Sequence, residues 1–268
     1  MLNFLRNERR YFLLAMGFFT RLPVPNFPDF HVNDLNSSSK YFPLVGLFVG
    51  MLGAGAYILA AKFLPNTIAI LLSMAMTIYI TGAFHEDGLA DSADGMGGGW
   101  DKERILTIMQ DSRLGTYGAI ALFLMLFSKF QILNALPQYF LPFILMVGHT
   151  FSRLCALIVM ADLDYVKAEG KAKPLATKIK KFDLVIAIGL GVVPVPIIYW
   201  NFSPFILNMS DWLLLGLYCL TPVVLAWIWW RNKIKRWLGG YTGDCLGAMQ
   251  QITELAFYFG LLAWCQQL

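Results

Sequence analysis

Apolar runs of about 20 residues return along the whole chain, and they limit its fold more than any motif does. A bilayer core roughly 30 Å thick is crossed by about 20 residues of α-helix, because a helix satisfies its backbone groups internally where no water is available. Runs that meet this requirement lie at approximately 41–61, 64–84, 116–136, 139–161, 184–201 and 211–230. A further run at 246–265 is weakened by Gln250, Gln251 and Glu254. The expected fold class is all-α: a polytopic transmembrane helix bundle with about six or seven spans and cytoplasmic interfacial helices. Composition agrees, with 57% hydrophobic residues, 14% charged residues and a mean hydropathy of +0.58. Residues 1–268 read as a single integral membrane domain without repeats or a soluble linker domain. The stretch 11–20 is too short for a span and leads into Arg21-Leu22-Pro23 without a small-residue cleavage pattern, so it reads as interfacial or re-entrant.

Charge gives the expected orientation. With the N-terminus inside, Arg6, Arg9, Arg10, Arg21 and Lys40 are cytoplasmic, as are Lys102, Arg104 and Arg113 after the second run. Lys167, Lys171, Lys173, Lys178, Lys180 and Lys181 follow the fourth run in a basic loop at 162–183, and Arg231, Lys233, Lys235 and Arg236 follow the sixth. Of the 21 basic residues only Lys62, Lys129 and Arg153 lie elsewhere. The positive-inside rule therefore selects this topology, with the chemistry facing the cytoplasm. The net charge of +4 reports topology rather than nucleic-acid binding, which is not expected. Cys155, Cys219, Cys245 and Cys265 show neither metal-ligand spacing nor a disulfide framework.

Against this basic face, the segment 85–115 is acidic, carrying Glu86, Asp87, Asp91, Asp94, Asp101, Glu103 and Asp111. If the second helix continues past the membrane surface, Asp87, Asp91 and Asp94 fall at i, i+4 and i+7, within roughly 60° around the axis. Carboxylates that close repel, and a bound cation is the natural means of keeping them ionised. Hard oxygen donors favour Mg²⁺ or Mn²⁺, and Mg²⁺ typically sits between a few carboxylates and substrate phosphates. Asp87, Asp91, Asp94 and Asp111 are the candidate metal ligands. Asp101 is placed to cap a short amphipathic helix that returns Arg104, Asp111, Ser112 and Arg113 towards the same region.

His85 points away from the stripe and suits a substrate contact. Lys129 and Arg153 lie half-way along apolar runs, where a cation is costly unless it faces the bundle interior or a wet cavity. His149 and Arg153 share a helix face. The Gly-rich motif 239–248 opens the last helix with free backbone N–H groups that can receive phosphate, and it adds Asp244 as a metal ligand or base.

Phe84-His85-Glu86-Asp87-Gly88-Leu89-Ala90-Asp91-Ser92-Ala93-Asp94-Gly95, followed by Met109-Gln110-Asp111-Ser112-Arg113-Leu114-Gly115-Thr116, resembles the cobalamin synthase family, the adenosylcobinamide-GDP ribazoletransferases. The resemblance extends to Phe19-Thr20-Arg21-Leu22-Pro23-Val24-Pro25, Tyr41-Phe42-Pro43-Leu44-Val45-Gly46 and Thr242-Gly243-Asp244-Cys245-Leu246-Gly247-Ala248, in order along nearly the whole chain. It implies the last assembly stage of vitamin B12 biosynthesis, dependent on Mg²⁺. Adenosylcobinamide-GDP and α-ribazole, or its 5′-phosphate, would be joined to give adenosylcobalamin, or its 5′-phosphate, with release of GMP. On that expectation Asp94 or Asp244 accepts the hydroxyl proton, and His85, Arg104, Ser112, Arg113, Lys129 and Arg153 contact substrate. A homo-oligomer is compatible with it. The acidic motif is also similar in style to that of CDP-alcohol phosphotransferases, although their Asp-Gly-x-x-Ala-Arg pattern is not reproduced. A cation or metabolite transporter using Lys129, Arg153 and Glu254 is the competing reading from another class.

Overall fold

The computed structural model describes residues 2–27, 31–166, 179–196, 199 and 208–267. Among them the regular structure is helical, apart from one isolated parallel bridge between Tyr165 and Tyr241. The helices are α1 (Leu2–Phe19), α2 (Val32–Ser38), α3 (Phe42–Ala60), α4 (Asn66–Thr81), α5 (Phe84–Gly98), α6 (Lys102–Ile108), α7 (Thr116–Ala135), α8 (Leu141–Asp162), α9 (Lys181–Val192), α10 (Met209–Leu238) and α11 (Gly243–Cys265).

Four continuous helical stretches are long and apolar enough to span a bilayer: 33–60, which joins α2 to α3, then α7, 138–162, which ends as α8, and α10. The pair α4 and α5 makes a fifth if a bend of 85° is allowed within one span. Hydropathy alone suggests six or seven, and the difference has two sources. The described part of the expected 184–201 span is the short helix α9, with 197–198 and 200–207 outside the described residues. Helix α11 is long enough but is made polar by Gln250, Gln251 and Glu254. Most of the basic loop 162–183 also lies outside the described residues, at 167–178.

Helix α11 tolerates those polar residues because it is an interior element. It packs against α5, α7, α8 and α10, and Gln250, Gln251, Thr253 and Glu254 are all buried. Helix α8 is likewise buried along most of its length and packs closely against α3. The outer helices show the opposite pattern. Leu71 and Leu72 on α4, Phe123 and Phe127 on α7, and Leu217, Leu220, Leu225 and Trp229 on α10 are exposed. An apolar belt of this kind around a polar-lined interior is the arrangement of a protein whose solvent is lipid. Two indoles fasten α10 to the centre: Trp227 donates to the Cys155 carbonyl at 3.0 Å and Trp230 to the Cys245 carbonyl at 2.9 Å.

Ion pairs gather at one end of the bundle. Lys40 meets Glu8 at 2.8 Å and Asp183 at 3.5 Å, Arg10 meets Asp34 at 2.8 Å, and Arg231 meets Asp162 at 2.6 Å. The C-terminus of α10, with Lys235 and Arg236 in its last turn, turns through Gly239 into the N-terminus of α11 at this end. The segment after α8 is stitched to the same turn, Tyr241 N–H donating to the Asp164 carbonyl and Val166 N–H to the Tyr241 carbonyl, each at 3.0 Å.

The second helix does not continue through the acidic motif. It stops at Thr81, and Gly82 (φ 66°) and Ala83 (φ 58°) both adopt the left-handed conformation before α5 begins. Ala83 is the one non-glycine residue with positive φ among those described, a conformation that costs on the order of 1 kcal/mol or more outside glycine. The surrounding structure holds it there. Arg21 N–H donates to the Ile80 carbonyl at 2.7 Å, the Arg21 guanidinium lies 6.0 Å from the Tyr79 ring, and the Arg21 side chain occupies the space a Cβ at Gly82 would need. The segment after α1 thus braces the corner from which α5 departs.

Candidate active site

Helix α5 carries Asp87 and Asp91 one turn apart, Asp87 exposed and Asp91 half-buried. Its inner face crosses the first turn of α11, and the crossing is close because glycine stands on both sides. A Cβ at Gly88 would lie 2.8 Å from the Asp244 carbonyl, and one at Gly247 would lie 3.2 Å from the His85 carbonyl and 3.3 Å from the Gly88 Cα. Asp87 and Asp244 therefore stand within each other's electrostatic reach. The first turn of α11 is fixed by Thr242, whose Oγ1 accepts from Cys245 N–H at 3.2 Å and donates to Asp244 Oδ2 at 3.3 Å. Carboxylates from two helices thus meet at a helix N-terminus, at the end of the bundle where the basic residues collect.

Asp94 leaves this acid face. The helix pitch keeps it on the Asp87 side of α5, but there it runs under the start of α7, whose first N–H groups have no intrahelical acceptor. Asp94 Oδ2 accepts from Gly115 N–H at 2.7 Å and Oδ1 from Gly118 N–H at 2.8 Å, in a buried position. A side chain at Gly118 would collide with Oδ2. Asp94 therefore clamps α7 to α5, a role that the unpaired i+7 spacing did not reveal.

Asp111 also departs from the expected ligand set. It holds Arg113, with Arg113 Nη2 at 2.6 Å from Oδ2 and Nε at 3.0 Å from Oδ1. Those side-chain hydrogen bonds, aided by the Arg113 backbone N–H, hold the Asp111 carboxyl down at about 2. Ser112 and Arg113 are exposed on this loop. Asp101 caps α6 as its position suggests, accepting from Arg104 N–H at 2.8 Å, and the Arg104 guanidinium lies over the Trp100 ring at 5.8 Å.

The intramembrane cations divide. Lys129 of α7 is in the interior, 2.9 Å from Glu254 Oε1 and 3.3 Å from Gln251 Oε1. Glu254 also accepts from Tyr258 at 3.0 Å and Gln250 at 2.6 Å and lies 3.3 Å from His149 Nδ1. Gln251 donates to Glu86 at 3.0 Å, tying this network to α5. Lys129 is thus the counter-ion of Glu254, a residue on which the acidic-motif reasoning did not draw. Arg153 donates to the His149 carbonyl at 3.0 Å, but its Nε is buried without a hydrogen-bond partner. Arg153 and His85 line a small cleft together with Phe18, Phe19, Phe42, Phe84, Gly243, Gly247 and Gln250. No sequence signal assembles that cleft, because its walls come from α1, α3, α5, α8 and α11.

Among the described residues, no group of three or more His, Cys, Asp or Glu side chains is placed to hold a metal ion, so the expected Asp87, Asp91, Asp94 and Asp111 set does not come together. Asp87 and Asp244, which face each other at the crossing, are nevertheless hard-oxygen donors, and Asp91 stands one turn further along α5. That suits Mg²⁺, which keeps several positions for water and substrate phosphates.

A family model described as cobalamin-5-phosphate synthase matches residues 11–262, which takes in every element of this site. The chain belongs to the cobalamin-5-phosphate synthase family. Curated relatives named adenosylcobinamide-GDP ribazoletransferase include one from Ralstonia pickettii, 41% identical over 98% of this chain and 99% of its own length. Others are from Shewanella piezotolerans, 42% identical over 96% of each chain, and Vibrio parahaemolyticus, 39% identical over 98% and 96%. No solved structure matches this chain. As a member of this synthase family the protein is an enzyme, a membrane-embedded transferase of cobalamin biosynthesis, and a transporter reading has no further support.

Proposed function

We propose that this synthase joins adenosylcobinamide-GDP to α-ribazole, or its 5′-phosphate, and releases GMP, with the reaction carried out where α5 crosses the N-terminus of α11. The observation that carries this reading is the approach of Asp87 to Asp244 across the Gly88–Gly247 contact, beside the N-terminus of α11, with Asp91 one turn along α5. In the transfer, the acceptor's ribose 3′-oxygen bonds to the phosphorus nearer the corrinoid, the bridging P–O bond breaks, and GMP leaves with the bridging oxygen. Asp244 takes the hydroxyl proton, and Asp94 keeps α7 against α5. Asp87 and Asp91 are the residues that would hold Mg²⁺, whose chemistry is to draw charge from the diphosphate oxygens. Arg153 supplies a fixed positive charge at the cleft floor. The bias of Lys and Arg to this end supports a site at the cytoplasmic face of the cytoplasmic membrane.

The test is GMP release by purified protein given adenosylcobinamide-GDP, α-ribazole and Mg²⁺. Asp87→Asn, Asp91→Asn and Asp244→Asn should each lose on the order of 10²-fold or more in turnover while still inserting in the membrane. Retention of wild-type turnover and Mg²⁺ dependence by the first two would reject the assignment. Turnover only with a CDP-activated lipid pair would move the enzyme to the neighbouring reaction class.

A further inference from the structure

The acidic helix α5 has a second face that the proposed reaction does not use. Leu89, Ser92, Ala93 and Met96 recur at i, i+3, i+4 and i+7, on the side of the helix turned away from Asp87 and Asp91. This face is the floor of a groove, with Ile252 and Leu255 of α11 beside it and with α7 and α10 as its two banks. Helix α7 packs on α5 and α11, and α10 packs on α11, so the banks stand apart. The groove holds about 580 Å³, within the range of about 300–1,000 Å³ typical of small-molecule sites. Ile120 and Leu124 of α7 and Trp229 of α10 are exposed along it, so it opens sideways towards the surrounding lipid.

Its two ends differ in chemistry. At the inner end Ser128 and Leu255 adjoin the buried Lys129–Glu254 pair. At the other end the Tyr117 ring covers Gly97, and Trp229 stands beside Lys233, which is half-buried and is the one charged residue lining the groove. The Lys233 ammonium lies 5.4 Å from the Trp229 ring and 5.9 Å from the Trp230 ring, and it has no carboxylate partner among the described residues. Lys235 and Arg236 follow in the last turn of α10 and add positive charge at this end. Tyr and Trp mark the headgroup level of a membrane protein. From Tyr117 to Ser128 along α7 is about 16 Å at a helical rise of 1.5 Å per residue, about half of a bilayer core of roughly 30 Å. The groove therefore reaches from the headgroups to the midplane of one leaflet.

We propose that this groove binds one phospholipid with an anionic headgroup, drawn from the leaflet at the basic end of the bundle: an acyl chain lies between α7 and α10 against the back of α5, and the phosphate meets Lys233. The depth matches a single leaflet, the walls are apolar where the chain lies, and the only lining cation sits where the headgroup arrives, with its stem along the Trp rings. A lipid seated there packs on α5 from the side opposite its carboxylates, so its occupancy steadies the helix that carries Asp87 and Asp91.

The test is native mass spectrometry of the full-length protein released from detergent, with phosphatidylglycerol or phosphatidylcholine of identical chains added at equal concentration. The wild type should retain one phosphatidylglycerol at least fivefold more strongly than phosphatidylcholine, because each cationic side chain near an anionic lipid surface is worth about fivefold in affinity. That readout does not depend on any variant folding. Lys233→Gln should bring the two lipids within twofold of each other. Ala121→Trp fills the groove from the α7 bank and should remove the retained lipid of either kind, in protein whose helical circular dichroism is unchanged. Equal retention of the two lipids by the wild type would overturn the site, as would an undiminished preference in folded Lys233→Gln or undiminished retention in folded Ala121→Trp. A dimer that Ala121→Trp dissociates while lipid retention stays the same would give the groove to a second copy of the chain and overturn it too. None of these readouts uses turnover, so they stand apart from the proposed reaction.

Discussion

Replacing Lys129 by Met removes one half of the pair that joins α7 to α11 in the interior. The two groups are 2.9 Å apart, and Lys129 and Glu254 are both buried. Breaking a buried pair from one side costs about 3–5 kcal/mol, chiefly because the surviving charge stays uncompensated. Glu254 would keep Tyr258 and Gln250 as donors, which places the expected loss at the lower end, about 3 kcal/mol. That far exceeds the ~0.6 kcal/mol average of hydrogen bonds between membrane helices. At roughly 2–4 °C per kcal/mol for a chain of about this size, the melting temperature in detergent should fall by about 6–12 °C. The double variant Lys129→Met/Glu254→Gln removes the orphaned charge and should recover at least half of the loss. A single-variant loss under about 1 kcal/mol, or a double variant as unstable as the sum of the two singles, would refute the view that this pair is mutually compensating.

Asp94→Asn keeps one acceptor for the two α7 N–H groups, so it should lower stability by about 1–2 kcal/mol and loosen the α6–α7 loop, read as faster proteolysis near residue 115. Unchanged cleavage would remove the clamp role. Gly88→Val puts methyl groups into the Asp244 backbone and should abolish GMP release from a protein that still inserts, whereas normal turnover would show that the α5–α11 contact is not needed. Asp111→Asn should leave the acid limb of the pH–rate profile in place. Arg113 depresses the Asp111 carboxyl to about 2, so the group stays ionised above that value, and any support from the pair is lost only as the pH falls through about 2. A shift of that limb would bring Asp111 into the reaction.

The limits of reading this chain from its sequence follow from what periodicity can carry. Hydropathy located α3, α4, α7 and α8 within a few residues, and α10 except for its last eight residues, because lipid imposes length and polarity together. The acidic motif is helical as its pattern suggests, and Asp87 and Asp91 keep their i, i+4 relation inside α5. The corner at Gly82 and Ala83 was hidden because alanine is a strong helix former and only the packing of Arg21 from elsewhere in the chain explains the break. Asp94 and Lys129 had visible chemistry but invisible partners, since the free N–H groups of α7 and the Glu254 carboxylate reach them only through tertiary structure. The cleft was the least legible feature, each wall being an ordinary phenylalanine in an ordinary apolar run.

Bracing of the α4–α5 corner by the residues after α1 makes that segment an outrigger of the proposed catalytic face. Phe19 rests on His85 while Arg21 wedges the turn that aims Asp87 and Asp91. Trimming or anchoring that segment would therefore be felt first in the aim of the acidic helix α5, well before the bundle itself came apart.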